Sequence, residues 1–127
     1  MVTAVMTSVL VVDDVPANLV GMSRALDFLG LEPVQATNGR EALDVLRSRG
    51  ADLVLLDITM PVMDGFATLT TIRADPDLRH VPVYMISGTD DPSEVARCWE
   101  LGATGFLSKP FTMAELEATL LAVGLLG

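Results

Sequence analysis

Asp52-Leu53-Val54-Leu55-Leu56-Asp57, followed by Ile58-Thr59-Met60-Pro61-Val62-Met63-Asp64-Gly65, is the stretch whose reading decides the fold. Its interior is leucine and valine throughout, bounded by Gly50 and Pro61, and this reads as a strand buried on both faces. Such strands belong to parallel sheets with helices on either side, and ligands of open α/β sheets collect at the carboxyl ends of the strands. Asp57 stands at that end. It is a site candidate on position alone.

The same unit recurs on both sides of this stretch. Ser8-Val9-Leu10-Val11-Val12 is a second apolar run, and it ends in Asp13-Asp14. Pro16 then opens a helix whose Leu19, Met22, Leu26 and Leu29 keep helical spacing until Gly30. Glu32 to Ala36 is a weaker strand, and Asn38 with Glu41 has the spacing of a capping box ahead of Ala42, Leu43 and Leu46. Beyond the central loop, Asp64-Gly65 introduces a helix through Phe66, Leu69 and Ile72 that breaks near Pro76. Val81 to Ile86 is the next strand and ends in Ser87-Gly88; Asp91, Pro92 and Glu94 then start a helix through Val95, Cys98 and Trp99. Thr104 to Leu107 is a last short strand before Ser108-Lys109-Pro110. Thr112 with Glu115 forms the clearest capping box, and Phe111 and Leu116 can staple the final helix.

Strand and helix alternate about five times with short connections, which predicts an α/β fold: a doubly wound five-stranded parallel sheet with five helices. Five strands favour the order 2-1-3-4-5, the flavodoxin-like arrangement. The glycine fingerprint of dinucleotide binding is missing, since Asp13-Asp14-Val15-Pro16 follows the first strand and would repel a pyrophosphate.

The 127 residues, 50% of them hydrophobic, fit a single domain over 1–127 with a real core. A net charge of -9 with only 8 Lys and Arg residues argues against nucleic-acid binding and against an acidic partner surface. Cys98 stands alone, so no internal disulfide forms and a buried thiol is its ordinary reading. No basic signal-peptide start is present, and no apolar run approaches the roughly 20 residues that span a bilayer. A cytoplasmic chain without a membrane role is the expectation.

In the expected order, strands 1, 3, 4 and 5 are neighbours roughly 4.8 Å apart. Their carboxyl ends then deliver Asp13 and Asp14, Asp57, Ser87 and Lys109 to one cleft. Taken singly, each has an ordinary role: a cap, a turn, a solvated charge. Joint arrival at one sheet edge is what makes a site. Carboxylates this close repel unless a cation joins them, and oxygen-only ligands suit a hard ion such as Mg2+, which keeps positions open for phosphate oxygens. With Lys109 neutralising the same oxygens, one carboxylate can attack phosphorus, and Asp57 is the best placed nucleophile with Asp13 and Asp14 as metal ligands. His80, beside Arg79, reads as a surface residue, and Met60 and Met63 as loop packing.

Val11-Val12-Asp13-Asp14, Leu55-Leu56-Asp57 with Met60-Pro61-Val62-Met63-Asp64-Gly65, Ile86-Ser87-Gly88, and Gly102-Ala103 followed by Phe106-Leu107-Ser108-Lys109-Pro110-Phe111 are an ordered set. In them the chain resembles a receiver domain of bacterial two-component response regulators, from Val9 to the last helix. The resemblance implies that Asp57 takes a phosphoryl group from a histidine kinase or a histidine phosphotransfer protein. It implies Asp14 as a direct Mg2+ ligand, Asp13 acting through water, and Thr59 lending its backbone carbonyl. Ser87 and Lys109 would bind the phosphoryl oxygens. Movement of Ser87 would let Phe106, in place of the family's common Tyr, swing inward and reshape the face of the fourth helix, fifth strand and fifth helix. A cis Lys109-Pro110 peptide is implied as well. Val95 and Trp99 lie one turn apart on the fourth helix; they either pack inward or, with Trp99 exposed, anchor an unidentified downstream protein.

The resemblance points to a signalling switch or phosphorelay shuttle, as a monomer or a phosphorylation-dependent dimer, with no DNA-binding or enzymatic module following the last helix. Met1 and a complete last helix fit a stand-alone chain, while a fragment of a hybrid kinase or larger regulator is the alternative. A rival from the enzyme class is a Mg2+-dependent phosphohydrolase with an aspartate nucleophile. It would need a second acid two residues after Asp57, where Thr59 stands, and a cap for which there is no room.

Overall fold

The computed structural model describes residues 7–126. Ten elements alternate: β1 (Ser8–Val12), α1 (Pro16–Phe28), β2 (Glu32–Ala36), α2 (Gly39–Ser48), β3 (Leu53–Asp57), α3 (Gly65–Ala74), β4 (Val83–Ser87), α4 (Pro92–Glu100), β5 (Gly105–Ser108) and α5 (Met113–Ala122). The five strands form one parallel sheet in the order β2-β1-β3-β4-β5, as the alternation predicts. β1 and β3 are fully buried along their lengths, which is why their sequences carry no polar alternation.

Side chains leave a strand alternately to its two faces, and this period divides the core in two. Leu10, Val12, Val54, Leu56, Val83 and Met85 pack with α2, α3 and α4. Val9, Val11, Leu53, Leu55, Ile86 and Leu107 pack with α1 and α5. Two layers of helix thus cover the sheet, and the parity of a residue decides which layer it meets.

The caps follow the sequence with two corrections. Thr112 and Glu115 make the reciprocal box at α5. At α2, Asn38 accepts the Glu41 N–H, but the Glu41 carboxylate reaches the N–H and hydroxyl of Thr37 instead of returning to Asn38. At α4, Asp91 accepts from the Ser93 N–H, and the Glu94 carboxylate goes elsewhere. Strand ends also shift slightly: Pro82 lies outside β4, where its carbonyl accepts the Val54 N–H. Lys109-Pro110 is cis, as the resemblance implies.

Arg73 was silent in the sequence, yet it ties α3 to two connections. Its Nε donates to the Gly102 carbonyl at 2.8 Å, and its Nη1 donates to the Val81 and Arg79 carbonyls at 2.7 and 3.1 Å. The loops entering β4 and β5 are therefore held from one side chain. Arg73→Met keeps the stem but strips these charge-assisted bonds, and we expect a loss of about 2 kcal/mol in chemical denaturation; an unchanged midpoint refutes the clamp.

Val62 carries a φ of 68° in the loop after β3 and is 79% exposed. A β-branched residue in the left-handed region is strained, whereas Asn tolerates it. Val62→Asn should therefore stabilise the chain by about 1 kcal/mol, read as a higher denaturant midpoint. A lower midpoint would show that the valine is held by contacts.

Candidate functional site

At the carboxyl edge the ladders run one residue beyond the strands. The Asp13 N–H donates to the Ala36 carbonyl at 3.1 Å, and the Lys109 N–H donates to the Ser87 carbonyl at 2.7 Å. Both residues therefore keep strand geometry and obey the period of two. Asp13 follows Val9 and Val11, Asp57 follows Leu53 and Leu55, and Lys109 follows Leu107, all of which face the α1 and α5 layer. Parity sends the two acids and the ammonium out on one side.

They meet there. Lys109 Nζ lies 3.0 Å from Asp13 Oδ2 and 3.6 Å from Asp57 Oδ2. Asp13, Asp14 and Asp57 each offer an oxygen within 4.8 Å of the others; Asp13 and Asp57 are buried and Asp14 is exposed. Asp13 is the most fully bonded, accepting from the Val15 N–H at 2.9 Å and from Asn18 Nδ2 at 3.1 Å besides the lysine. Asn18 was missed in the sequence. Its only signal is a polar amide in the first turn of the helix that follows the two acids.

Burial pushes the Asp57 carboxyl above its ordinary value, and the nearby Asp13 and Asp14 carboxylates push the same way. The Lys109 ammonium and the Thr59 backbone N–H oppose them without winning. Thr59 itself is exposed in the loop two residues past Asp57. The donor set is oxygen alone, from three carboxylates crowded at the mouth of the sheet, and this fits a hard divalent cation that would relieve the repulsion. No nitrogen or sulfur donor stands among them, so the set does not suit a soft metal.

Ser87 does not join this group. It follows Val83 and Met85, which face the α2, α3 and α4 layer, and so its side chain leaves on that side. The Ser87 hydroxyl is buried, donates to Glu94 Oε1 at 2.7 Å, and accepts from the Thr89 N–H at 3.1 Å. Phe106, partly buried, packs against the same core cluster. On α4, Cys98 is fully buried, and burial pushes its thiol up, while Val95 is half-buried and Trp99 is 52% exposed. Of the two readings of Trp99, exposure is the one the fold selects. His80 and Arg79 are exposed, Met60 is buried and Met63 packs on the core, in keeping with their sequence readings.

A doubly wound sheet of order 2-1-3-4-5 with acids and a lysine at the switch point between its first and third strands defines a class of small α/β signalling domains. The chain belongs to the response regulator receiver domain family, whose sequence profile matches residues 9–121. It is 40% identical over 116 residues to the transcriptional regulatory protein PrrA of Mycobacterium tuberculosis, covering 91% of this chain and 48% of that protein. It is 35% identical over 112 residues to a probable cyclic di-GMP phosphodiesterase of Vibrio cholerae, covering 87% of this chain and 25% of that protein. The chain thus spans between a quarter and a half of the length of these two relatives. Among solved structures, the chemotaxis protein CheY4 of Vibrio cholerae superposes with a TM-score of 0.88 at 34% identity, covering 94% of this chain and 99% of that one. The receiver domain of the sensor histidine kinase PA1611 of Pseudomonas aeruginosa gives 0.87 at 28% identity over 94% and 99%, and that structure has a magnesium ion coordinated in its active site cleft.

The raised Asp57 value fixes the sign of a stability effect. The folded chain holds this proton more tightly than the unfolded chain does, so Asp57 supports folding below the ordinary carboxylate range and loses that support as pH rises through its raised value. At neutral pH in chelator, Asp57→Asn removes an unfavourable buried charge and should raise the melting midpoint. Adding Mg2+ should raise the wild-type midpoint more than the variant's. A variant that melts lower in chelator would contradict the charge crowding.

Proposed function

We propose that this receiver takes a phosphoryl group onto Asp57 from a phosphohistidine of a sensor kinase or a histidine phosphotransfer protein, in the cytoplasm. The observation that supports this is the placement of Asp57, buried beside Asp13 and Asp14 with the Lys109 ammonium 3.6 Å from its carboxylate. Asp57 Oδ forms the new bond to phosphorus as the donor's P–N bond breaks, and the electron pair of that bond leaves with the imidazole. Lys109 neutralises charge on the phosphoryl oxygens, and Ser87 donates a hydrogen bond to one of them. Asp13, Asp14, Asp57 and the Thr59 carbonyl would hold Mg2+, which when bound supplies the positive charge that lets an anion approach three carboxylates.

The chemistry is a single transfer to the protein itself, and the product is a changed surface. Val95 and Trp99 on α4 and Phe106 on β5 make the face on which a downstream protein would read the change. Trp99, half exposed, is suited both to anchor a partner and to report the switch.

Incubation with acetyl phosphate and Mg2+ should give one labile phosphoryl adduct by mass spectrometry, absent in Asp57→Asn and in chelator, with a change in Trp99 fluorescence. Label retained by Asp57→Asn would move the acceptor elsewhere. Absence of label from the wild type would leave only a binding module, and rapid turnover of diverse phosphate esters would point to a hydrolase.

A further inference from the structure

Ser87 holds one hydrogen, and in this structure it is already committed. A carboxylate only accepts, so in the Ser87–Glu94 pair at 2.7 Å the serine is the donor, while the Thr89 N–H fills a lone pair of the same hydroxyl at 3.1 Å. The pair is part-buried, Ser87 itself is 4% exposed, and the bond joins the end of β4 to the first turn of α4. The Glu94 carboxylate is free for this because it does not close a capping box; Asp91 caps α4 by accepting from Ser93.

We propose that Glu94 is a positioning residue, a latch that competes with the phosphoryl group for the Ser87 hydrogen and sets the threshold of the switch. The proposal rests on the phosphoacceptor reading above and adds to it the group that restrains the hydroxyl. Ser87 can donate to a phosphoryl oxygen on the Asp57 side only by giving up Glu94. Two charged acceptors thus contend for one donor, and the loser on phosphorylation is the α4 carboxylate. Release of Glu94 frees the first turn of α4 from β4, three residues after the Asp91 cap and five before Trp99. This couples the acceptor to the α4 surface through a bond that breaks, in addition to any movement of Phe106.

The test measures the affinity for beryllofluoride with Mg2+, a phosphoryl mimic, by Trp99 fluorescence in wild type, Glu94→Gln, Glu94→Ala and both changes in a Ser87→Ala background. A neutral amide accepts about half as strongly as a carboxylate, so affinity should rise about threefold in Glu94→Gln and about tenfold in Glu94→Ala. Glu94→Ala should change little when Ser87 is alanine. An enhancement that persists undiminished without the Ser87 hydroxyl would assign the effect to bulk charge and overturn the latch; so would no enhancement at all. Hydrogen exchange in the chain without ligand gives a reading that does not depend on phosphorylation: the Thr89 amide, bonded to Ser87 Oγ, should exchange about tenfold faster in Glu94→Ala. Wild type that binds no beryllofluoride defeats the phosphoacceptor reading, and Thr89 exchange then decides the latch; unchanged exchange refutes it.

Discussion

The molecule depends on an electrostatic tension that its fold imposes: three carboxylates within 4.8 Å at the mouth of a parallel sheet, two of them buried. Left alone they would force one another to take up protons or move apart. Lys109 stands between Asp13 and Asp57 and offsets part of the repulsion, yet Asp57 still sits above its ordinary value. Such a donor set suits a hard cation, which would relieve the crowding. Backbone bonds hold the set in place, because the ladder runs on through Asp13 and Lys109.

The same sheet separates the charged cluster from Ser87 and Phe106. The acids and the lysine leave on the α1 and α5 side, while Ser87 and Phe106 leave on the α2, α3 and α4 side. On the proposed function, a phosphoryl group at Asp57 would stand at the strand ends, where the two sides can be reached together. Ser87 is the side chain that would have to cross, and its bond to Glu94 would make the crossing a choice between two discrete partners. Discrete alternatives of this kind turn a small local event into a change of surface.

Beneath the site, hydrogen bonds tie the scaffold together. Arg73 binds three carbonyls in the loops entering β4 and β5, so the strands that deliver Ser87 and Lys109 are anchored at their amino ends, opposite the acidic cluster. On the outer surface Trp99 is exposed one helical turn from Val95, with Cys98 turned into the core. A surface with net charge -9 over the chain favours partners whose docking surfaces are not acidic.

By itself the sequence determined the strand and helix order, the sheet topology, and the acids, hydroxyl and lysine at the carboxyl ends. These are local or periodic properties: apolar runs, caps, proline and glycine positions, and the right-handed crossover that leaves few topologies. Counting in twos fixes parity within a strand, but β1 and β3 are buried on both faces, so only the register between strands puts Asp13, Asp57 and Lys109 on one face and Ser87 on the other. Which groups bond was decided only by tertiary packing. Glu94 reads as a capping acid, and Asn18 and Arg73 point to no partner, until helices α4, α1 and α3 are set against particular strand ends and loops. A long polar side chain can reach several partners, and nothing short of the packed chain says which lies within 3 Å.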